Sequence, residues 1–263
     1  KTMDSGLKEF LDKKAAQYEQ AGFIKDDPIC IPHRFTKKQD IEIAGFFAAI
    51  LAWGNRKSII NSCDRLLHGM DHAPYDFIMN FEESDLRPFV NFAHRTFNAT
   101  DLFHFFDFLK WHYRDRGAAS LETAFTAFMQ KDDENVEQAL TGFHYSFFNE
   151  KLFPDFPRRT VKHIASPAKK SACKRLNMFL RWMVRSNKKG VDFGIWKNIQ
   201  PSQLVCPLDV HVERVAKHFQ LLQRTPNDWQ AAVELTRNLK QLDAKDPVKY
   251  DFALFGLGVI EKY

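Results

Sequence analysis

Residues 39–53, QDIEIAGFFAAILAW, constrain this chain more than any other stretch. Past Glu42 they are apolar on nearly every side of a helix. Such a helix has no face left for water and must be surrounded by other elements. The rest of the chain offers helices to surround it. Apolar residues recur at helical spacing along most of the length, and alternating β-branched runs are nearly absent. The spacing predicts helices over 4–21, 39–53, 56–68, 101–116, 120–129, 134–149, 171–186, 209–219, 226–241 and 247–260. The expected class is all-α.

The 263 residues give room for one large domain or two small lobes. The 26 phenylalanines read as the filling of a helical core, because Phe is among the most buried residue types. Pro28 and Pro32 break the chain after the first helix. Pro154, Pro157 and Pro167 punctuate a basic stretch, KLFPDFPRRTVKHIASPAKK, which reads as a boundary between a middle lobe and a later one. No internal repeat and no low-complexity segment stands out.

Composition narrows the function classes. Cys30, Cys63, Cys173 and Cys206 form no C-x-x-C pair, which argues against a zinc site or a cysteine-ligated iron–sulfur cluster. They read as the reduced, mostly buried thiols of a cytoplasmic protein. No apolar run approaches the roughly 18 residues of a membrane span. No signal-peptide pattern opens the chain, and a start at Lys1 reads as a trimmed piece. The net charge of +5 permits a polyanionic partner without demanding one. His68, Asp71 and His72 lie close in sequence, but Gly69 and Pro74 end their helix and no H-E-x-x-H motif occurs. No metal and no cofactor is expected.

Two segments carry candidate chemistry. In PLDVHVERVAKHF, residues 207–219, Asp209 is a favoured N-cap. Val212, Val215, Ala216 and Phe219 then build a buried face, and Glu213 pairs with Lys217 across one turn. A plain cap, contributing about 1 kcal/mol, is the simpler account of Asp209 on spacing alone. In SPAKKSACKRLNMFLRWMVR, residues 166–185, Lys169, Lys170, Lys174, Arg175, Arg181 and Arg185 gather positive charge around a helix start, where anions are favoured. A lysine turned into an apolar cleft becomes a nucleophile. A solvated basic helix is the simpler account here.

Taken in order, AGFFAAILAWGNRKSI, KRLNMFLRWMVR and LDVHVERVAKHF resemble the helix-hairpin-helix DNA glycosylase superfamily, which includes endonuclease III and the 8-oxoguanine glycosylases. That superfamily's last segment reads Val-Asp-x-His-x-x-Arg-Val, and Leu208 to Val215 is similar to it. The resemblance covers most of residues 36–260, but only LDVHVERV is specific. The superfamily's Leu-Pro-Gly-Val-Gly hairpin is absent, and SPAKKSAC stands in its place. In this the chain looks like a distant branch resembling the archaeal 8-oxoguanine glycosylases.

The resemblance implies two helical lobes with the site in the cleft between them. Residues 36–165 would form the middle lobe. Residues 1–35 would pack with a C-terminal lobe, 166–263. The implied activity is that of a bifunctional DNA glycosylase and abasic-site lyase. It would act as a monomer on double-stranded DNA with a damaged base, an oxidised purine such as 8-oxoguanine. Asp209 takes the place of the catalytic aspartate and Lys174 that of the nucleophile, with Lys170 as the fallback. Asn55 and Arg56 stand where side chains fill the gap left by a flipped nucleotide. Trp53 beside them reads as a core tryptophan or a stacking platform. Lys169, Lys170, Arg175 and His211 complete the implied DNA contacts. The alternative is a DNA-binding protein on the same scaffold without catalysis.

Overall fold

The computed structural model describes residues 5–263, and helices carry nearly all of their regular structure. In chain order the α-helices are α1 (Ser5–Tyr18), α2 (Ala21–Ile24), α3 (Lys38–Ile50), α4 (Arg56–Gly69), α5 (Pro74–Asn80), α6 (Ala99–Lys110), α7 (Thr123–Thr126), α8 (Glu137–Phe147), α9 (Lys174–Val184), α10 (Val210–His218), α11 (Trp229–Leu242) and α12 (Tyr250–Phe255). The strands among the described residues are β1 (Ala93–His94) and β2 (Phe97–Asn98), an antiparallel hairpin that pairs Ala93 with Asn98 and His94 with Phe97. The fold class is all-α. No helix among the described residues is long and apolar enough to cross a membrane.

Several elements differ from the spacing. Residue 4, the expected start of the first helix, lies outside the described residues. That helix stops at Tyr18 rather than 21, because Gln20 is extended and starts α2 afresh. The expected helix over 120–129 shrinks to Thr123–Thr126. The one over 101–116 ends as a wider π-turn at Trp111–Asp115, and α12 runs into a second at Gly256–Ile260. The short α5, with Pro74 in its first turn, and the hairpin were not foreseen. Seven residues, or two pairs of two, are too few to show a period.

The chain divides into two compact units. One holds the chain up to Lys25, Met129–Leu140 and Ala165–Tyr263; the other holds Asp26–Phe128 and Thr141–Ile164. These bounds correct the expected lobes at two places. Residues 26–35 belong with the middle segment, since the single turns Pro28–Cys30 and Pro32–Arg34 pack on α3. Residues 129–140 belong with the C-terminal segment. Val136 N–H donates to Gln203 O (3.1 Å), Gln203 Nε2 donates to Asp133 O (3.0 Å), and Arg237 pairs with Glu134 (3.0 Å).

In the middle unit α3 is the axis. Every residue from Ile41 to Ile50 is buried, as its all-round apolarity requires. Phenylalanines enclose it. Phe46 stacks on Phe105 and meets Phe143 edge-on, with centroids 5.5 and 5.8 Å apart, and Phe125 stacks on Phe143 at 4.1 Å. Such pairs each contribute about 0.5–1.5 kcal/mol beyond simple burial. The one charged group in that run, Glu42, is satisfied within the core. It accepts from Tyr113 Oη (2.8 Å), Leu121 N–H (3.1 Å) and Ser120 Oγ. A buried carboxylate without such donors would be strongly destabilising.

A second buried carboxylate anchors the start of α6. Asn98 caps the helix, and Asp101 reaches back to Asn98 N–H at 2.9 Å. Thr160 Oγ1 donates to Asp101 at 2.7 Å, Arg159 lies at 3.2 Å and His163 Nε2 at 3.3 Å. Burial alone would raise the Asp101 carboxyl. The partners outweigh it and hold the group well below the usual carboxylate range.

In the other unit α1 packs along α12, and α10 also packs on α12. Trp182, Trp196 and Trp229 are fully buried here. The same unit holds a largely buried ion cluster. Arg181 meets Asp251 (2.6 Å) and Asp192 (3.2 Å). Arg185 meets Asp192 (2.6 Å), Glu19 (2.9 Å) and Asp246 (2.8 Å).

Candidate functional site

The site is built where two helices begin. Residues 204–208 lead up to α10 as buried chain, with Cys206 N–H held by Thr236 Oγ1 at 2.9 Å. Asp209 is extended, the conformation of an N-cap, and its Oδ1 accepts from His211 N–H (2.9 Å) and Val212 N–H (3.0 Å). The helix then buries Val212, Val215 and Ala216, so its inner face cannot rotate. Glu213 and Lys217 pair at 2.6 Å, as their spacing implies.

The start of α9 is less ordinary. The single 3₁₀ turn Pro167–Lys169 ends at Lys170 in the left-handed region, φ +62, and Cys173 is left-handed again at φ +51. Neither is glycine, so side-chain and backbone ties must hold both against an unfavourable conformation. Trp229 N–H donates to Lys170 O (3.2 Å). Cys173 N–H donates to Ser171 Oγ (3.1 Å). Asn177, itself buried, donates from Nδ2 to Ala172 O (3.0 Å). This wired turn stands directly before α9. It delivers Lys174 as the first residue of α9.

The two helix starts meet. Lys174 Nζ stands 3.3 Å from Asp209 Oδ2, with the side chains 34% and 22% exposed. The carboxylate is therefore divided between two tasks. Oδ1 is committed to the helix cap, and Oδ2 faces the amine. A charge-assisted contact at its best is about 2.7–2.9 Å, so this pair is loose enough for the amine to leave it. Chemically the pair offers an amine, a carboxylate to take its proton, and access from solvent.

Below the pair lies Asp251, in the interior of α12 and 5% exposed. Burial pushes its carboxyl up. Arg181 opposes that shift, and Asp209 adds to it by like-charge repulsion. Asp251 belongs to neither of the two sequence segments that carry candidate chemistry. A lone acid inside the apolar run YDFALFGLGV was the available signal.

The basic cluster of residues 169–185 divides into buried and exposed members. Arg181 and Arg185 are 3% and 4% exposed and ion-paired, so they do not face an anion from solvent as the charge count suggested. Arg175 is half-buried, and burial pushes its guanidinium down to about 10. Lys169, Lys170 and His211 are exposed. His211 borders an open pocket of about 650 Å³ with Arg214, Gly258, Val259, Lys262 and Tyr263. The Cys173 thiol beside Lys174 is buried and pushed up to about 12 by burial, which makes it unreactive.

Asn55 and Arg56 lie in the middle unit, apart from this pair in the division of the chain. Both are exposed. Asn55 caps α4, accepting from Ser58 N–H at 3.3 Å, so its carboxamide already has a structural task. Trp53 is half-buried, with the Arg95 guanidinium over its ring. His68 and His72 lie 6.0 Å apart by ring centroids, and no group of three or more His, Cys, Asp or Glu among the described residues could hold a metal ion.

No curated protein and no solved structure matches the chain. Residues 27–260 match the model of a family described as "Protein of unknown function (DUF2400)", and the chain belongs to that family.

Proposed function

We propose that the chain is a DNA base-excision glycosylase with abasic-site lyase activity, acting on an oxidised purine such as 8-oxoguanine in double-stranded DNA. The observation that carries this reading is the Lys174–Asp209 pair at 3.3 Å. It unites the lysine helix and the LDVHVERV segment, two of the three stretches that resemble the glycosylases.

The chemistry follows from the pair. Breaking an N-glycosidic bond develops positive charge on the sugar. A carboxylate fixed beside that charge stabilises the transition state. Asp209 is fixed by its cap, and the cap leaves Oδ2 available. Lys174 becomes a nucleophile once its proton passes to that oxygen, and Asp209 hands the proton on to the departing base, so it is again a carboxylate as charge develops on the sugar. Its nitrogen bonds to C1′, the C1′–N bond breaks, and the electron pair leaves with the base, which takes up a proton. Opening of the sugar ring gives a Schiff base between Lys174 and C1′. Loss of a C2′ proton then expels the 3′ phosphate and cuts the strand. A base stacked in a duplex must first be flipped out.

Borohydride trapping tests this directly. On duplexes carrying 8-oxoguanine or an abasic site, the wild-type chain is expected to form a covalent adduct that Lys174→Ala loses. No adduct on any lesion would refute the reading.

A further inference from the structure

The β1–β2 hairpin has no counterpart in the sequence reading, yet it is held firmly in the middle unit. Its inward residues, His94 and Phe97, are buried. Burial pushes the His94 ring down, so it is neutral and carries one N–H. The Trp53 carbonyl can only accept, so His94 Nε2 donates to it (3.3 Å), and Nδ1 accepts from Ser62 Oγ (2.9 Å). Arg65 holds Ala93 O at 2.8 Å and Arg159 holds Thr96 O at 2.7 Å. The tip of the hairpin is thus pinned on both sides.

Arg95 sits on that tip, exposed and left-handed at φ +54. Its guanidinium lies over the Trp53 ring, 4.8 Å from the centroid. Gly54 makes the seat. A Cβ there would stand 3.0 Å from Arg95 Nη1 and 3.2 Å from Cδ, and its φ of +104 also favours glycine. The next residues are Asn55, Arg56 and Lys57, all exposed, around an open pocket of about 400 Å³ whose one acid is Asp26. A guanidinium stacked on an indole still presents N–H donors at its edge, in the fork that suits phosphate oxygens. Here the stack and the pinned hairpin hold it ready, so little freedom is lost on binding.

We propose that Arg95, seated on Trp53 beside Arg56 and Lys57, forms a nucleic-acid contact patch in the middle unit that grips the phosphate backbone of duplex DNA. This rests on the reading that the chain binds DNA. It reassigns the contact at this turn from Asn55, which caps α4, to a residue some 40 positions downstream.

The test is fluorescence anisotropy on a labelled lesion-bearing duplex across a salt series. Arg95→Ala is expected to weaken binding about five- to tenfold and to flatten the slope of log affinity against log salt by about 0.9, one phosphate contact. Arg95→Lys should keep the slope while losing part of the affinity, because the charge remains and the stacked fork does not. Arg114→Ala, removing another exposed arginine of the same unit, should change neither quantity. Circular dichroism on each variant confirms folding, and Arg95→Glu supplies a second perturbation of the same site. Wild-type affinity and slope in both Arg95→Ala and Arg95→Glu would overturn the patch and leave the glycosylase reading intact. A wild-type chain that binds no duplex at all would overturn both.

Discussion

Replacing Asp209 by Asn and by Ala separates its two tasks. Oδ1 caps α10 through two backbone N–H groups at 2.9 and 3.0 Å. Asn keeps a carbonyl oxygen in that position and is an equally good cap, whereas Ala has none. Losing the cap costs about 1 kcal/mol. The Lys174 contact at Oδ2 is partly exposed and 3.3 Å long, so its loss alone costs at most about 1 kcal/mol and typically much less. For a chain of this size about 1 kcal/mol corresponds to roughly 2–4 °C in Tm. Asp209→Ala should therefore unfold about 2–4 °C below wild type by far-UV circular dichroism. Asp209→Asn should stay within about 1 °C. Both should lose trapping yield on the lesion duplex by about a hundredfold or more, since the charge is gone in each. Equal loss of Tm in the two variants would refute the division of the carboxylate into a capping and a reacting oxygen. Wild-type trapping by Asp209→Asn would refute its catalytic role while leaving the cap in place.

Other expectations follow from the buried groups. Asp101 has a folded pKa below its unfolded value of about 3.9, so its contribution is present above that value and is lost as pH falls through it toward the folded pKa. Asp101→Asn should cost about 3 kcal/mol by urea denaturation at pH 7, and the gap to wild type should narrow as pH drops below about 4; a gap that stays constant would exclude the ion-paired carboxylate. Of the four thiols, half-buried Cys30 should react first with a thiol reagent in the native chain, while Cys63, Cys173 and Cys206, buried and raised by burial, react only on unfolding. Fast native labelling at Cys173 would show that the turn before Lys174 is open.

What the sequence disclosed and what it hid divide along one line. Features written in neighbouring residues were legible. The encircled helix α3 followed from its lack of a polar face, and the Asp209 cap followed from its place before a periodic helix. Features that depend on distant partners were not. Arg181 and Arg185 counted as surface charge because Glu19, Asp192, Asp246 and Asp251, which neutralise them, are scattered along the chain. The proximity of Lys174 to Asp209 could not be read from a gap of 35 residues and came only through resemblance. Arg95 was invisible for a further reason: a two-residue strand has no alternation to detect, and a left-handed arginine carries no compositional mark.

The docking of α1 on α12 also bears on how the chain is made. Asp12 receives the Tyr250 hydroxyl across 238 residues of sequence, and Glu19 meets Arg185 across 166. At a synthesis rate of about 5–20 residues per second, roughly 10–50 s separate the emergence of Asp12 from that of Tyr250. Through that interval α1 lacks α12, the helix it packs along. The middle unit, whose segments lie between, can close first. The unit carrying the Lys174–Asp209 pair is then the last to be completed, and it is during this wait that a ribosome-associated chaperone would find α1 exposed.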